Sequence, residues 1–385
     1  MVILKKIIEY LKNFIIFSII DLLLLKEKKR IKKDILIIRI DGIGDFFIWL
    51  NTLEYYKKIY WDRKFTLICS EQVKEVAEKI NFFEEIICIN RNGFYKDYKY
   101  RYKILKKLSK MEFDLILSPT YSREFFCLDW LVHFIKAKEK IGFNGDNINI
   151  KKTLKKLSNK WYTKLILNNN ESLTELERNY EFLKNISLIK MDIKINNIIN
   201  KITKTKRKIK EKYCIFFLGS SEPKKNWDIN NFIEIAKYIP SNYKIILSGG
   251  QNEIELGIEF LEKYKKGNRV KNLIGQTNLL ETFNLIKYSE FILGNDTACI
   301  HMAVVAQTKS ICILGGGQYG RFLPYNKNML RDNEFFPKII NYKLNCYNCN
   351  WKCKYNLEKW PCISKINIEM VKKVLDELLL EEELC

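Results

Sequence analysis

Three short stretches of the chain combine small residues with groups that can bind or move charge. The first is Asp41-Gly42-Ile43-Gly44-Asp45. Its glycines permit tight backbone geometry, and the Asp45 carboxylate suits either a general base or a helix N-cap. The second runs from Gly219 through Ser220, Ser221 and Lys225 to Trp227. Backbone N–H groups and hydroxyls there can donate to a diphosphate while a lysine neutralises its charge; an ordinary exposed loop has the same composition. The third is Gly294-Asn-Asp-Thr-Ala-Cys-Ile-His301. Asp296 and Thr297 suit the cap of a helix over 299–306, whose free N–H groups can hold a phosphate. His301 and His133 are the two histidines of the chain, and a lone histidine on a helix is more often structural than catalytic.

Two further patterns need separate treatment. Gly315, Gly317 and Gly320 satisfy G-x-G-x-x-G in letter. No helix pattern follows them and no ribose-binding acid stands at the right distance, so they read as a glycine-rich loop bordering a crevice and not as a dinucleotide fingerprint. Cys346, Cys349, Cys353 and Cys362 form a cluster near the C-terminus. Four thiolates suit a structural zinc, although the last spacing is irregular for a zinc ribbon; a reduced structural cluster or a redox-labile pair fits as well. The other cysteines, such as Cys69, Cys88, Cys214 and Cys312, sit singly in apolar runs and read as small buried hydrophobes in a reducing compartment. No Walker A sequence and no D-x-D pair occurs.

The elements that would carry these turns alternate along the chain. Residues 34–40 form a β-branched run typical of a buried parallel strand, and the Asp41–Asp45 turn ends it. Further strands are expected at 65–69, 86–89 and 114–118, with helical segments between them. Residues 144–212 are polar and weakly periodic, with a domain junction near 201–212. The pattern then restarts with strands at 213–218, 243–248, 270–274, 290–294 and 309–314. Helices are expected at 229–239, 253–264, 278–288 and 299–306, and a final one at 367–381. Two such modules imply an α/β architecture of two doubly wound domains, with ligands outside the C-terminal ends of the strands.

A chain of 385 residues that is 47% hydrophobic can bury the cores of two domains. Its net charge of +22 favours an anionic partner. Lys, Ile and Asn are abundant throughout, so local clusters say more than the total. No nucleic-acid-binding module is recognisable. Residues 3–25 are amphipathic to apolar, with Asp21 inside the apolar run, and Lys26, Lys28, Lys29, Arg30, Lys32 and Lys33 follow. A span needs about 20 apolar residues, and a carboxylate at mid-bilayer costs about 2.5–3.5 kcal/mol. The segment 1–33 therefore reads as an interfacial helix with a polybasic stretch on an anionic membrane surface; packing on the protein's own core is the alternative.

The three turns resemble, in order and context, those of glycosyltransferase family 9, the lipopolysaccharide heptosyltransferases and their relatives. The matching stretches are Ile35–Asp45 with its Gly-Asp ending, Gly219–Trp227 with the K-x-W element Lys225-Asn226-Trp227, and Asn295–Ala303, which is close to D-[ST]-G-x-x-H-[LM]-A. The resemblance implies the GT-B fold, two Rossmann-like domains with an intervening active-site cleft. It places an acceptor domain at 34–205, a sugar-nucleotide domain with the cysteine-rich tail at 206–366, and a terminal helix at 367–385. It also implies an inverting, metal-independent transfer, with which the missing D-x-D pair agrees, and no required cofactor. Under it Asp45 is the catalytic base and Lys225 stabilises the donor diphosphate. Gly219, Ser220, Ser221, Asp296, Thr297, Ala298 and His301 bind the donor, and Glu253 contacts its nucleoside. Ala298 departs from the glycine usual at that position. The implied partners are a nucleoside-diphosphate sugar of the ADP-heptose kind and a lipid-linked or core-oligosaccharide acceptor. The implied place is the inner face of the cytoplasmic membrane, bound peripherally. A nucleotide-sugar epimerase or dehydrogenase, or a non-catalytic basic binding protein, are the competing classes.

Overall fold

The computed structural model describes residues 2–25, 29–167, 172–195, 207, 209–265, 267–326, 335–355 and 357–383. The chain divides into two compact units. The first comprises Met1–Gly42, Glu54–Glu171 and Glu181–Lys190; the second comprises Ile43–Leu53, Ser172–Tyr180 and Met191–Cys385.

The first unit is built on a parallel six-stranded sheet of β1 (Ile31–Arg39), β2 (Phe65–Ser70), β3 (Glu85–Ile89), β4 (Met111–Ser118), β5 (Lys136–Phe143) and β6 (Lys164–Ile166), in the order β3-β2-β1-β4-β5-β6. Ile35, Leu36, Ile37 and Ile38 of β1 are all at most 1% exposed. That continuous burial is the mark of a central parallel strand covered on both faces. The helices are α1 (Val2–Leu24), α3 (Leu53–Ile59), α4 (Lys74–Ile80), α5 (Arg91–Lys96), α6 (Tyr98–Leu108), α7 (Trp130–Phe134) and α8 (Lys152–Asn159); α2 (Ile43–Leu50) follows β1 but belongs to the second unit. α9 (Glu175–Ile186) starts in the second unit and ends in the first.

The second unit repeats the plan. Its sheet contains β7 (Tyr213–Phe217), β8 (Lys244–Leu247), β9 (Val270–Asn272), β10 (Phe291–Asn295), β11 (Lys309–Ile313) and β12 (Lys338–Ile340), in the order β12-β11-β10-β7-β8-β9, all parallel. Read from its own first strand this is the same order as in the first unit, the doubly wound order of Rossmann-like domains. The helices are α10 (Ile229–Tyr238), α11 (Ile254–Tyr264), α12 (Leu279–Lys287), α13 (Ala298–Ala306), α14 (Pro361–Ser364) and α15 (Ile368–Glu383). α15 contributes Val371, Leu375 and Leu378 to the core that includes Phe216, Phe232 and Trp227.

Most expected strands and helices lie within a few residues of their expected bounds. The polar stretch 144–212 is the main departure, because it holds α8, β6 and the start and end of α9. α8 turns polar groups inward: Lys155 Nζ donates to the Gly145 carbonyl at 2.6 Å, and Ser158 is fully buried. The expected junction near 201–212 falls largely on residues 201–206 and 208, outside the described residues.

α1 packs on the protein's own core, the alternative reading of its sequence, and leaves a second apolar face exposed. One face carries Asn13, Phe17, Ile20, Asp21 and Leu24, all buried in the first unit. There Trp130 Nε1 donates to Asp21 Oδ2 at 2.9 Å, and the Arg101 guanidinium lies 3.4 Å from the Phe17 ring centroid. The opposite face presents Ile8, Leu11, Ile15, Ile19 and Leu22, each more than half exposed. Among the described residues no helix is long and apolar enough to cross a membrane. The basic block is partly absorbed by the fold. Arg30 donates to Ser109, and Lys33 pairs with Glu85 at 3.1 Å, while Lys29 and Lys32 are exposed. Lys26 and Lys28 lie outside the described residues.

Candidate functional site

β7 and β10 are neighbours in the second sheet although five elements of sequence separate them, and such a switch point is where doubly wound domains bind ligands. The loops leaving their C-terminal ends hold the second and third sequence motifs. Asn295, the last residue of β10 and fully buried, ties them together. Its Nδ2 donates to the Leu218 carbonyl at 2.8 Å and its Oδ1 accepts the Trp227 N–H at 2.8 Å. Trp227 is buried, and its indole N–H donates to the Ile366 carbonyl. The Ser220 hydroxyl lies 2.8 Å from the Glu222 carbonyl and 2.7 Å from Asn226 Oδ1, so it closes the loop on itself. Ser221 is exposed.

Lys225 ends a short 3₁₀ turn, Pro223–Lys225, inside this loop. Its ammonium stands 3.8 Å from the ring centroid of Trp351. Burial lowers its pKa, and the negative charges of Asp296 and Glu222 oppose that shift. Asp296 shows the mirror image, raised by burial and held down by Lys225. The two side chains therefore share one poorly solvated electrostatic environment, in which an added anionic group would meet a cation little screened by water.

Glu253 reaches the same loop end from the turn after β8. Its Oε2 accepts the Gly250 N–H at 3.0 Å. A Cβ on Gly219 would lie 2.6 Å from the Glu253 carboxyl carbon, and one on Gly249 would lie 1.9 Å from Oε2. At both glycines a side chain would displace the carboxylate. Burial raises the Glu253 pKa, against the Gly250 N–H that favours the ionised form.

α13 begins at Ala298, with Thr297 as N-cap. The Thr297 hydroxyl does not cap the helix as expected; it lies 3.0 Å from Cys299 Sγ. His301 is buried, with Nδ1 2.7 Å from the Tyr325 hydroxyl, and burial pushes its pKa down to about 4. It is therefore neutral near pH 7, as a packed histidine would be. The first motif meets this helix directly. A Cβ on Gly44 would lie 3.1 Å from His301 Cδ2 and 3.5 Å from Ala298 Cα. Asp45, the third residue of α2, stands in the first turn of that helix, past the capping position. Gly44 thus sets the N-terminal turns of α2 and α13 against each other.

The glycine-rich loop, expected to border a crevice, is covered by the cysteine-rich segment. Asn348 N–H donates to the Gly316 carbonyl and Asn350 N–H to the Gly317 carbonyl, both at 2.7 Å. A Cβ on Gly316 would lie 2.2 Å from Tyr347, and one on Gly317 would lie 2.2 Å from Trp351. The glycines admit the rings of the cysteine-rich segment, and Trp351 adopts φ +59° to place its ring there, an unusual conformation for a bulky residue. Cys346, Cys349, Cys353 and Cys362 line one small pocket with Trp351 and Trp360. Among the described residues no group of three or more His, Cys, Asp or Glu is placed to hold a metal ion.

The second unit thus contains Gly219, Ser220, Ser221, Lys225, Glu253, Asp296, Thr297, Ala298 and His301, and its compact fold takes in Asp45 as well. Neither Asn295 as a loop pin nor Trp351 as the platform under Lys225 was expected from the sequence. Asn295 lies inside the third motif at the end of a strand, and that position was the one available signal. Trp351 carries no spacing signal at all.

A family model described as glycosyltransferase family 9 (heptosyltransferase) matches residues 101–335. Lipopolysaccharide heptosyltransferase 2 of Salmonella typhimurium is 28% identical over 110 residues, 27% of this chain and 32% of that relative's length. Among solved structures, a glycosyl transferase family 9 protein from Veillonella parvula is similar at TM-score 0.70 with 16% identity, covering 91% of this chain and 98% of that one. The E. coli heptosyltransferase WaaC with ADP is similar at TM-score 0.69 with 15% identity, covering 90% and 99%. At such identities the structures speak for the fold, and the two Rossmann-like sheets are those of GT-B. The family match spans more than half of the sequence and includes the second and third motifs; the chain belongs to glycosyltransferase family 9.

Proposed function

We propose that the protein transfers a sugar from a nucleoside-diphosphate sugar, of the ADP-heptose kind, to a lipopolysaccharide-core or other cell-envelope acceptor, with inversion and without a catalytic metal. Asp45 takes the proton of the acceptor hydroxyl as its oxygen attacks the anomeric carbon. The bond from that carbon to the diphosphate oxygen breaks, and the nucleoside diphosphate leaves with the electron pair. Lys225 and the N-terminal turn of α13 stabilise the charge that develops on it. Gly219, Ser220, Ser221, Asp296, Thr297, Ala298 and His301 shape the donor site, and Glu253 contacts the nucleoside.

The observation that carries this reading is the seating of the Gly44–Asp45 turn on His301 and Ala298, at the head of the helix that follows the β10 switch point. It supports a base and a phosphate-binding helix terminus within one site. A thermal-shift series with ADP-, GDP- and UDP-sugars tests it. Ligand at about 100 times its Kd stabilises the native state by about 2.7 kcal/mol, and the absence of stabilisation by every nucleotide sugar would overturn the reading.

Two finer elements belong to the same proposal. The exposed apolar face of α1, with Lys12, Lys29 and Lys32, supports peripheral attachment to an anionic membrane surface at the cytoplasmic side. Four thiols are the donor set a structural zinc would take, and Cys346, Cys349, Cys353 and Cys362 would have to draw together around it, since they are not placed as a metal site in the structure. Such an ion would fix the segment that carries Trp351 and would take no part in transfer.

A further inference from the structure

Cys69 and Cys88, which the sequence presents as separate buried hydrophobes, meet in the fold. β2 and β3 are parallel neighbours, and their register sets Cys69 directly opposite Cys88. Ile68, Ile87 and Ile89 face the core that includes Leu36. Side chains alternate along a strand, so both cysteines lie on the other face of the sheet. Their sulfurs are 3.9 Å apart. Neighbouring strands stand about 4.7–4.9 Å apart, inside the roughly 4.4–6.8 Å Cα separation of disulfides. The backbone therefore already stands at bridging distance.

The two thiols are unequal. Cys69 is fully buried, while Cys88, on the edge strand of the sheet, is half-buried. The hydrogen bond with Cys69 lowers the pKa of Cys88 below the ordinary thiol value; burial opposes this, Lys74 adds to it, and the carboxylates of Glu78 and Glu71 act against it. The same hydrogen bond raises the pKa of Cys69, and burial raises it further. A reachable thiolate beside a buried thiol is the arrangement of an attacking and a resolving cysteine. By contrast, burial raises the pKa of Cys127, Cys299 and Cys312, which keeps them as inert thiols.

We propose that Cys69 and Cys88 form a redox-active dithiol that hydrogen peroxide converts to a disulfide. The Cys88 thiolate attacks one peroxide oxygen. The O–O bond breaks, hydroxide leaves and takes up a proton as water, and Cys88 becomes a sulfenic acid. The Cys69 sulfur, losing its proton, then attacks the Cys88 sulfur. The S–S bond forms, the S–O bond breaks, and the departing hydroxide takes up that proton as a second water. The two sulfurs together give two electrons to the peroxide, and a thiol reductant reverses the change. The bond pins the edge strand β3 to β2, just before the turns that begin at Glu71 and Asn90. None of the residues assigned to transfer takes part.

The test treats the full chain, reduced and freed of reductant, with hydrogen peroxide in slight excess and maps its peptides without reduction. The map should join the peptides that carry Cys69 and Cys88, and dithiothreitol should separate them. Cys88 should leave the free-thiol pool about tenfold or more faster than Cys127, Cys299 and Cys312, the effect of one pKa unit on thiolate content. Cys69→Ala removes the resolving thiol, so a sulfenic acid should persist on Cys88 and be trapped by dimedone. Cys88→Ala should leave Cys69 reduced. On oxidation, amide hydrogen exchange in β3 should slow in the wild type and not in Cys69→Ala. The wild-type map needs no variant, so a variant that misfolds leaves the test intact. Cys88 recovered as a free thiol while Cys346, Cys349 and Cys353 are oxidised would overturn the proposal. So would Cys88 oxidised to sulfinic acid, or joined to another cysteine, with no bond to Cys69.

Discussion

Gly249→Ala is a small change with a calculable target. Its Cβ would fall 1.9 Å from Glu253 Oε2, so one of the two must move. The carboxylate is the free end of a flexible side chain, and swinging it away is cheaper than moving strand ends. The swing breaks the bond from Gly250 N–H to Oε2, worth about 1.5–3 kcal/mol for a charged acceptor. Replacing glycine by alanine returns about 0.4–1 kcal/mol through the unfolded chain. The net loss of stability should therefore be about 0.5–2.6 kcal/mol. If Glu253 contacts the donor nucleoside, donor affinity should fall by the worth of that contact, about ten- to a hundredfold. Gly219→Ala presses on the same carboxyl group and should do the same. Isothermal titration with ADP-sugar and ADP across wild type, Gly219→Ala, Gly249→Ala, Glu253→Ala and Gly249→Ala/Glu253→Ala reads the result. The single variants should converge on one Kd, and the double variant should add little to Glu253→Ala. Wild-type affinity in Gly249→Ala, or fully additive losses, would show that the carboxylate has no part in donor binding.

Lys225→Ala should weaken nucleoside-diphosphate binding and slow transfer, and Trp351→Leu should do so more mildly by removing the ring under the ammonium; unchanged diphosphate affinity in both would make Lys225 a loop lysine only. Burial pushes the Asp21 carboxyl from 3.8 up to about 7, against the pull of Arg101 and Trp130. Its contribution to α1 docking is fully present below pH 4 and is lost as pH rises through about 7, so Asp21→Asn should flatten the fall in thermal stability between pH 4 and 7; an unchanged slope there would refute it. His301, held near 4 by burial, acts with the opposite sign, and its contribution is lost as pH falls below about 6.5. Transfer should persist in EDTA, and loss restored by magnesium or manganese would contradict a metal-free mechanism; loss restored by zinc alone would place the metal at Cys346, Cys349, Cys353 and Cys362.

The strand-to-helix turns were legible because each follows an apolar run and carries glycine beside polar residues, as at Ile35–Asp45 and Phe291–Thr297. Their partners in space were not. Nothing in the spacing of Gly44 and His301, over 250 residues apart, announces that one makes room for the other. Polar burial hid elements as well. Lys155 and Ser158 face inward on α8 beside Leu154, so the short helix buries polar groups that its sequence would place outside. On α1 the difficulty was reversed, since two apolar faces serve different surroundings and a hydropathy pattern cannot separate them. Arg39 at the end of β1 is a third case. It is buried and paired with Asp41 at 3.1 Å, yet in sequence it looks like a lone charge closing a strand.

The central claim is that Asp45 removes the acceptor proton in a nucleotide-sugar transfer. Single-turnover kinetics of Asp45→Asn, with donor affinity measured on the same sample, tests it most directly. The amide keeps the size of the side chain and removes its basicity. Donor Kd should stay at the wild-type value while the transfer step slows by about 10²–10⁴-fold, the usual worth of a general base. Transfer at a near-wild-type rate with an intact donor Kd would take Asp45 out of the mechanism.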